Sequence, residues 1–276
     1  MTGPPPEMRV QSLADLERHL IQIRQGLRDR NTTGCVVQSE PLFRGHADSS
    51  WRLETTLERF KPNEQIDVRR YNSYLARAKP TVETITNRKW RLTKNMKLSY
   101  DALVDEPPSI EFMAYARHHG YPSPLLDWSR SPYVALYFAF SKARMDQDAA
   151  LFVFTKSPEG VRSGCLKDPQ VCEVSRLSTT HVRHISQQSR YTICVRNVEG
   201  DDWEYCSHEL AMQPQDSSQN SLQKIVLPGS LRLEILDRLD HMNINGFTLF
   251  NTEDGLMESL AFREIEALES RQRGEI

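Results

Sequence analysis

The chain has 276 residues, of which 38% are hydrophobic and 26% are charged, a composition typical of a globular protein with a buried core. Its 35 basic and 37 acidic residues give a net charge of −2, so bulk charge does not indicate a protein that wraps nucleic acid. A local basic surface remains compatible with this balance.

Cysteine usage and hydropathy predict where the protein resides. Five scattered cysteines and the absence of a secretory pattern at the start predict free thiols in a reducing compartment. The longest apolar run, residues 133–140, is far shorter than the roughly 20 residues of a membrane helix. We therefore expect a cytoplasmic protein that is not exported and does not contact a membrane.

The N-terminal tail, the first helix and the first strand are predicted from local sequence patterns. Residues 1–11 are rich in proline and polar residues, which predicts a flexible N-terminal tail, with one domain over 12–276. Ser12 is placed to cap a helix with apolar residues every three or four positions, which ends over 31–34. A β-like pattern over 35–43 then predicts a strand with Arg44 near its end.

Residues 57–100 form a predicted helical insertion that is strongly basic. Eleven Lys and Arg residues face only four acids in this segment. Such a surplus can steer a phosphate-bearing partner toward the protein. A solvated helix face explains the same pattern equally well.

The remaining helices are predicted from caps and apolar periodicity. One covers 109–119 and stops at Gly120; another begins with Ser131 as cap and Pro132 at its first position and runs through the core to residue 145. Two more are predicted over 231–242 and 254–269.

Strands are predicted over 151–154, 191–195 and 224–227, and 247–250 is predicted to be strand-like or irregular. Because strands and helices do not alternate strictly, the order favours an α+β fold, with a small mixed sheet and several packed helices.

Three separated motifs carry a family resemblance. They are the segment 42–46 (Leu-Phe-Arg-Gly-His), the segment 118–129 (His-His-Gly-Tyr-Pro-Ser-Pro-Leu-Leu-Asp-Trp-Ser) and the segment 183–192 (Arg-His-Ile-Ser-Gln-Gln-Ser-Arg-Tyr-Thr). In this order and spacing they resemble the FRG domain family, named for its Phe-Arg-Gly tripeptide. The sequence departs from the usual family forms at Ser123, Pro124, Ser129 and Ser189.

The FRG family is distantly similar to the ADP-ribosyltransferases, and this similarity implies an ADP-ribosyltransferase-like core with NAD as co-substrate. By that analogy Arg44 holds the dinucleotide, Ser129 frames the pocket and Gln187 aligns the ribose. A glutamine stands where the related enzymes have a glutamate, so the carboxylate is assigned to Asp127, with Glu204 and Glu209 in reserve.

The resemblance thus implies a catalytic set of Arg44, Asp127 and Gln187, and a cofactor-binding set of Arg44, Gly45, His118, Ser129 and Gln188. Their chemistry suits this assignment. A guanidinium next to a glycine backbone suits a pyrophosphate, the glutamine amides can orient a ribose, and His118 can act as donor or proton carrier.

Structural explanations compete with each assignment. Arg44 can instead form a buried pair with Asp127, and His118 can satisfy carbonyls at the end of its helix. The spacing of cysteines and histidines does not match structural zinc sites, so no metal is expected.

The implied function is a toxin-like effector of phage defence or of a toxin–antitoxin system. It would be an NAD-dependent ADP-ribosyltransferase acting on RNA, suggested by the basic segment, or on protein. An antitoxin or chaperone is the expected partner, bound through the tail and the last helix. The alternative is a non-catalytic FRG-type module that binds a ligand or partner, which the missing glutamate favours.

Overall fold

A computed structural model describes residues 7–32, 40–92, 109–156, 167–174, 183–211 and 221–274. Within these ranges the chain forms a nine-stranded mixed sheet with helices packed on it. The strands are β1 (Glu7–Arg9), β2 (Leu42–His46), β3 (Ile66–Asp67), β4 (Leu126–Ser129), β5 (Ala149–Thr155), β6 (Gln170–Glu173), β7 (Ser189–Glu199), β8 (Asp202–Tyr205) and β9 (Ser221–Leu227).

The sheet runs β1-β9-β5-β2-β4-β7-β8-β3, and β6 also pairs with β7. β1 and β9 are parallel, whereas the other pairs are antiparallel. β2 is paired with β5 along all five of its residues, but its register with β4 is limited to Phe43 opposite Ser129. The two strands that carry Arg44 and Asp127 therefore lie side by side in the middle of the sheet.

The α-helices in the described ranges are α1 (Leu13–Thr32), α2 (Thr56–Phe60), α3 (Val68–Thr86), α4 (Ile110–His118), α5 (Pro132–Phe140), α6 (Arg183–Ser186), α7 (His208–Ala211), α8 (Arg232–His241), α9 (Gly246–Phe250), α10 (Glu253–Ala261) and α11 (Leu268–Gln272). A 3₁₀ turn at Gly229–Leu231 precedes α8, and a π-helical stretch, Phe262–Ala267, joins α10 to α11.

The mixed sheet with several helices confirms the coarse fold prediction, although the sheet is larger than expected. The predicted cap of α1 is present, because Ser12 Oγ accepts from the Asp15 amide at 3.1 Å. α5 begins as predicted, with Ser131 as cap and proline at the first turn. Residues 7–9, within the predicted tail, form β1, while residues 1–6 and most of the predicted strand 35–43 lie outside the described ranges.

Three other local predictions were wrong. α5 ends at Phe140, five residues before its predicted end. Arg44 is the third of five residues in β2 and not near its end, because β5 continues to pair through His46. The segment 247–250, predicted to be strand-like or irregular, is part of helix α9. Its start is fixed by a capping box in which the Asn245 and Thr248 side chains accept from each other's backbone amides.

Helix α5 lies directly on β2 and explains the glycine in that strand. A Cβ on Gly45 would lie 2.0 Å from the Ala135 carbonyl oxygen and 2.6 Å from the Ala139 nitrogen, both backbone atoms of α5. Because glycine has no side chain, α5 can pack closely against β2 at this position. This contact fixes the position of the strand that carries Arg44.

The basic segment is built into the domain. β3 pairs with β8, and from α3 the side chains of Tyr71 and Leu75 join a buried cluster with Phe112 of α4 and Ile193 of β7. In the described part of the chain, no helix is both long and apolar enough to cross a bilayer.

Candidate functional site

A cavity of about 390 Å³ opens between β2, β4, the end of α4 and the turn before β7. It is lined by Phe43, Arg44, Gly45, Arg117, His118, Asp127, Trp128, Ser129, Ala135, Phe138, Arg183, Gln187, Ser189 and Phe250. Its size falls within the range of about 300–1,000 Å³ that is usual for ligand pockets. The three residues of the predicted catalytic set, far apart in sequence, all line this one cavity.

Arg44 is held by two neutral acceptors. Its Nη1 donates to the Asp127 carbonyl oxygen at 2.8 Å, and its Nε donates to His46 Nε2 at 3.1 Å. Burial lowers the pKa of Arg44 to about 10, while the nearby Asp127 carboxylate opposes this shift, so the guanidinium stays charged at neutral pH. Within the described ranges no carboxylate forms an ion pair with Arg44, and this half-buried cation lines the cavity.

Asp127 is bound by a different arginine. Arg117 Nη2 donates to Asp127 Oδ2 at 2.7 Å, and Arg117 Nε donates to Oδ1, which makes a bidentate pair. Arg117 also donates to Thr56 Oγ1 at 2.9 Å. Burial acts to raise the pKa of Asp127, but the Arg117 guanidinium outweighs it and holds this pKa below its usual value. The Asp127 side chain is 41% exposed, so the ionised carboxylate is reachable from the cavity.

Ser129 and Gln187 form another part of the lining. Ser129 Oγ donates to the Gln187 carbonyl oxygen at 2.8 Å, which ties β4 to the turn before β7. The Gln187 amide donates to the Leu249 carbonyl oxygen at 3.1 Å. Gln188 is exposed, has a φ of +49° and is not among the lining residues. The cavity therefore contains Ser129 and Gln187 but not Gln188.

His118, at the end of α4, belongs to a compact polar cluster. Its Nε2 lies 2.7 Å from His184 Nε2 and 2.8 Å from the Tyr191 hydroxyl, which is itself 2.7 Å from His184 Nε2. Burial, with Asp127 nearby, raises the pKa of Tyr191, so the phenol keeps its proton. His118 faces the cavity while His184 and Tyr191 are buried behind it.

Aromatic and basic groups form another part of the lining. Phe138 is 36% exposed on an otherwise buried helix, and its ring meets Phe250 edge-on with centroids 5.9 Å apart. The Arg183 guanidinium lies 5.6 Å from the Phe250 ring centroid. Flat apolar faces beside cations suit a planar aromatic ligand group attached to an anion.

The predicted site residues do not include Arg117, Arg183, Phe138 and Phe250, which line the cavity. Arg117 directly precedes the His-His-Gly motif and Arg183 opens the third motif, so both stood next to recognised segments. Phe138 had been assigned to the core, and Phe250 lay in the segment whose structure was wrongly predicted. The reserve acids lie elsewhere, because Glu204 pairs with Arg196 and Glu209 accepts from Arg52 and the Leu53 amide.

Among the described residues, the cavity lining contains three guanidinium groups and one carboxylate, on Asp127. Its balance is positive, which favours an anionic ligand such as a phosphate. In the described ranges, no group of three or more His, Cys, Asp or Glu side chains is placed to hold a metal ion.

The basic surplus of 57–100 is partly neutralised in the fold. Lys61 and Arg70 both pair with Glu64, Lys79 pairs with Glu83, and Arg69 pairs with Asp202. Of the acids in these pairs, Asp202 lies outside the segment, so its pairing with Arg69 lowers the net surplus, whereas Glu64 and Glu83 are already counted in it.

Part of the chain matches a known protein family. Residues 39–148 match the FRG domain. The FRG match contains β2, α4, β4 and α5, and hence Arg44, Arg117, His118 and Asp127. Gln187 and Arg183 lie beyond it. No curated protein and no solved structure matches the chain.

Proposed function

We propose that the cavity binds NAD and that the protein is an ADP-ribosyltransferase-like enzyme. The observation that carries this proposal is the convergence of Arg44, Asp127 and Gln187 on one positively charged cavity. Arg44 is oriented by hydrogen bonds to neutral partners, so its guanidinium remains a charged donor for a pyrophosphate. Phe138 and Phe250 offer apolar surface for a planar ring.

The chemistry assigned to the site is cleavage of the nicotinamide–ribose bond. The bonding electron pair leaves with nicotinamide, and positive charge develops on the ribose carbon. Asp127 is the carboxylate in the lining that can stabilise this charge. A nucleophile of the acceptor then bonds to the same carbon and loses its proton, which completes the transfer.

A second candidate function is a ligand-binding module without turnover. The bidentate pair between Arg117 and Asp127 favours it, because a carboxylate with both oxygens engaged stabilises a passing positive charge less well. In this alternative the cavity binds the same kind of phosphate-bearing ligand, and binding itself is the signal.

Incubation with NAD distinguishes the two candidates. We expect nicotinamide release, measured by chromatography, that falls at least about 100-fold in Asp127→Asn, since the charge-stabilising group is lost. We also expect NAD binding, measured by calorimetry, to weaken strongly in Arg44→Ala. Glu204→Gln is the matched acid control, because Glu204 lies outside the cavity.

Binding without nicotinamide release, unchanged by Asp127→Asn, would establish the binding module. No binding of NAD by the folded protein would overturn both candidates. Transfer of labelled ADP-ribose to total RNA or to extract protein identifies the acceptor. A toxin-like role predicts growth arrest on expression that Asp127→Asn abolishes, and copurification tests for an antitoxin or chaperone.

A further inference from the structure

His46 is a buried histidine next to the candidate site that the proposed chemistry does not use. It lies two residues after Arg44 in β2, so both side chains project from the same face of the strand. The residue is 5% exposed, and its ring meets Phe152 edge-on, with centroids 4.9 Å apart. Packing thus fixes the ring in place.

The hydrogen bond from Arg44 Nε at 3.1 Å fixes the chemical form of this ring. A guanidinium donates and cannot accept, so His46 Nε2 must be the unprotonated nitrogen and Nδ1 carries the proton. Burial and the adjacent Arg44 charge lower the pKa of His46 to about 3. The ring is therefore a neutral acceptor throughout the physiological range.

Two anchors determine the plane of the Arg44 guanidinium. His46 holds the Nε side, and the Asp127 carbonyl oxygen holds Nη1. A guanidinium has five N–H donors in a rigid plane, so two fixed bonds orient the rest. The remaining donors of Arg44 are then available to the cavity that this residue lines.

We propose that His46 is the positioning residue that orients the Arg44 guanidinium toward a phosphate group in the cavity. A carboxylate in its place would orient Arg44 but would cancel its charge, and an ammonium would repel it. A neutral imidazole orients the cation and leaves its charge for the ligand. The role of Arg44 toward phosphate rests on the proposed function, whereas its orientation by His46 does not.

The test measures ADP-ribose affinity by calorimetry in four full-length proteins: wild type, His46→Gln, His46→Leu and His208→Leu. We expect His46→Leu to weaken affinity about 10- to 100-fold, because a bond to a charged group is lost. His46→Gln keeps an acceptor near the Nε2 position and should stay within about threefold of wild type.

His208→Leu is the matched control for loss of a buried histidine. His208 is fully buried, its Nε2 lies 2.9 Å from Thr192 Oγ1, and it does not line the cavity. We expect its affinity for ADP-ribose to equal that of wild type, even if its stability falls. Equal weakening in His208→Leu and His46→Leu would overturn the proposal by showing a merely structural effect.

A second readout does not depend on any ligand. NMR of the Arg44 Nε–H proton should show slow solvent exchange in wild type and His46→Gln, and exchange at least about tenfold faster in His46→Leu. Unchanged exchange, or unchanged affinity in His46→Leu, would overturn the proposal. If no protein binds ADP-ribose but the exchange pattern holds, the proposed function fails while the orientation by His46 is supported.

Discussion

Arg44 and Arg117 line the same cavity but are held in opposite ways. Arg44, on β2, donates to a backbone carbonyl and an imidazole, both neutral. Arg117, on α4, donates to both carboxylate oxygens of Asp127. Arg44 therefore presents a positive charge to a ligand. The charge of Arg117, by contrast, is largely neutralised by its pair with Asp127. The two arginines of this cavity therefore differ in what their guanidinium groups bind within the protein.

The largest expected effect is on the free energy of unfolding, and it tests how firmly strand β2 is held against α5. Gly45→Ala places a methyl group against backbone atoms of α5, which cannot move independently, so we expect a loss of about 3 kcal/mol or more in the free energy of unfolding. Urea denaturation measures it. Gly26→Ala in α1 is the control, because its Cβ has nothing within 4 Å, and it should stabilise by about 0.5–1 kcal/mol. Equal effects would refute the packing role.

The next effect addresses the pair between α4 and β4. Arg117→Met leaves the Asp127 carboxylate without its partner. Because Asp127 is partly exposed, we expect a loss of about 2–3 kcal/mol in the free energy of unfolding, below the usual cost for a fully buried pair. Arg130→Met is the control, since Arg130 pairs with Glu40 on the exposed surface and should cost less than about 1 kcal/mol. Similar losses for both variants would contradict a structural role for Arg117.

Acid should affect two buried histidines and Asp127 in different pH ranges. His46 and His208 have folded pKa values of about 3, below the unfolded value of 6.5, so only the unfolded state takes up protons as the pH falls below 6.5. Their stabilising contribution is present above pH 6.5 and is lost as the pH falls toward 3.

Between pH 7.5 and 5 we expect each of these histidines to account for about 1–2 kcal/mol of lost stability, measured by urea denaturation at both values. Asp127, whose pKa is lowered, contributes its loss only below about pH 4. His208→Gln should flatten the decline between pH 7.5 and 5 relative to wild type. An unchanged decline would mean that His208 is not neutral in the fold.

The smallest stability effect belongs to Arg44. Arg44→Met removes a cation whose partners are neutral, so the free energy of unfolding should fall by only about 1 kcal/mol. Affinity for ADP-ribose should nevertheless fall most in this variant. A stability loss as large as that of Arg117→Met would erase the contrast between the two arginines.

Local signals explain which parts of the fold could be predicted. Helix α5 followed from Ser131, Pro132 and an apolar run, because caps and composition act within a few residues. β3, β6 and β8 were missed because these strands have two to four residues and depend on pairing with distant strands. α9 was missed because its capping box uses Asn245 and Thr248, which resemble ordinary loop residues.

The candidate site, like the fold, could be predicted only where local sequence motifs determine it. Motifs identified Arg44 and Asp127, which now lie on adjacent strands, but they did not reveal that Asp127 binds Arg117. That choice depends on where α4 ends relative to β4, which is a matter of tertiary packing. Likewise, a glycine is required at position 45 because helix α5, some ninety residues later in the chain, packs against it.

The parallel pairing of β1 with β9 has a consequence for handling the protein. β1 pairs with residues 224–226 of the seven-residue strand β9, and Lys224 Nζ lies 3.0 Å from Glu7 Oε2 across this pair. Removing residues 1–9 would leave the backbone groups of β9 that pair with β1 without partners, beside buried Ile225 and Val226, while the pairing with β5 remains. Such a bare edge recruits other chains, so a shortened protein is expected to self-associate and precipitate.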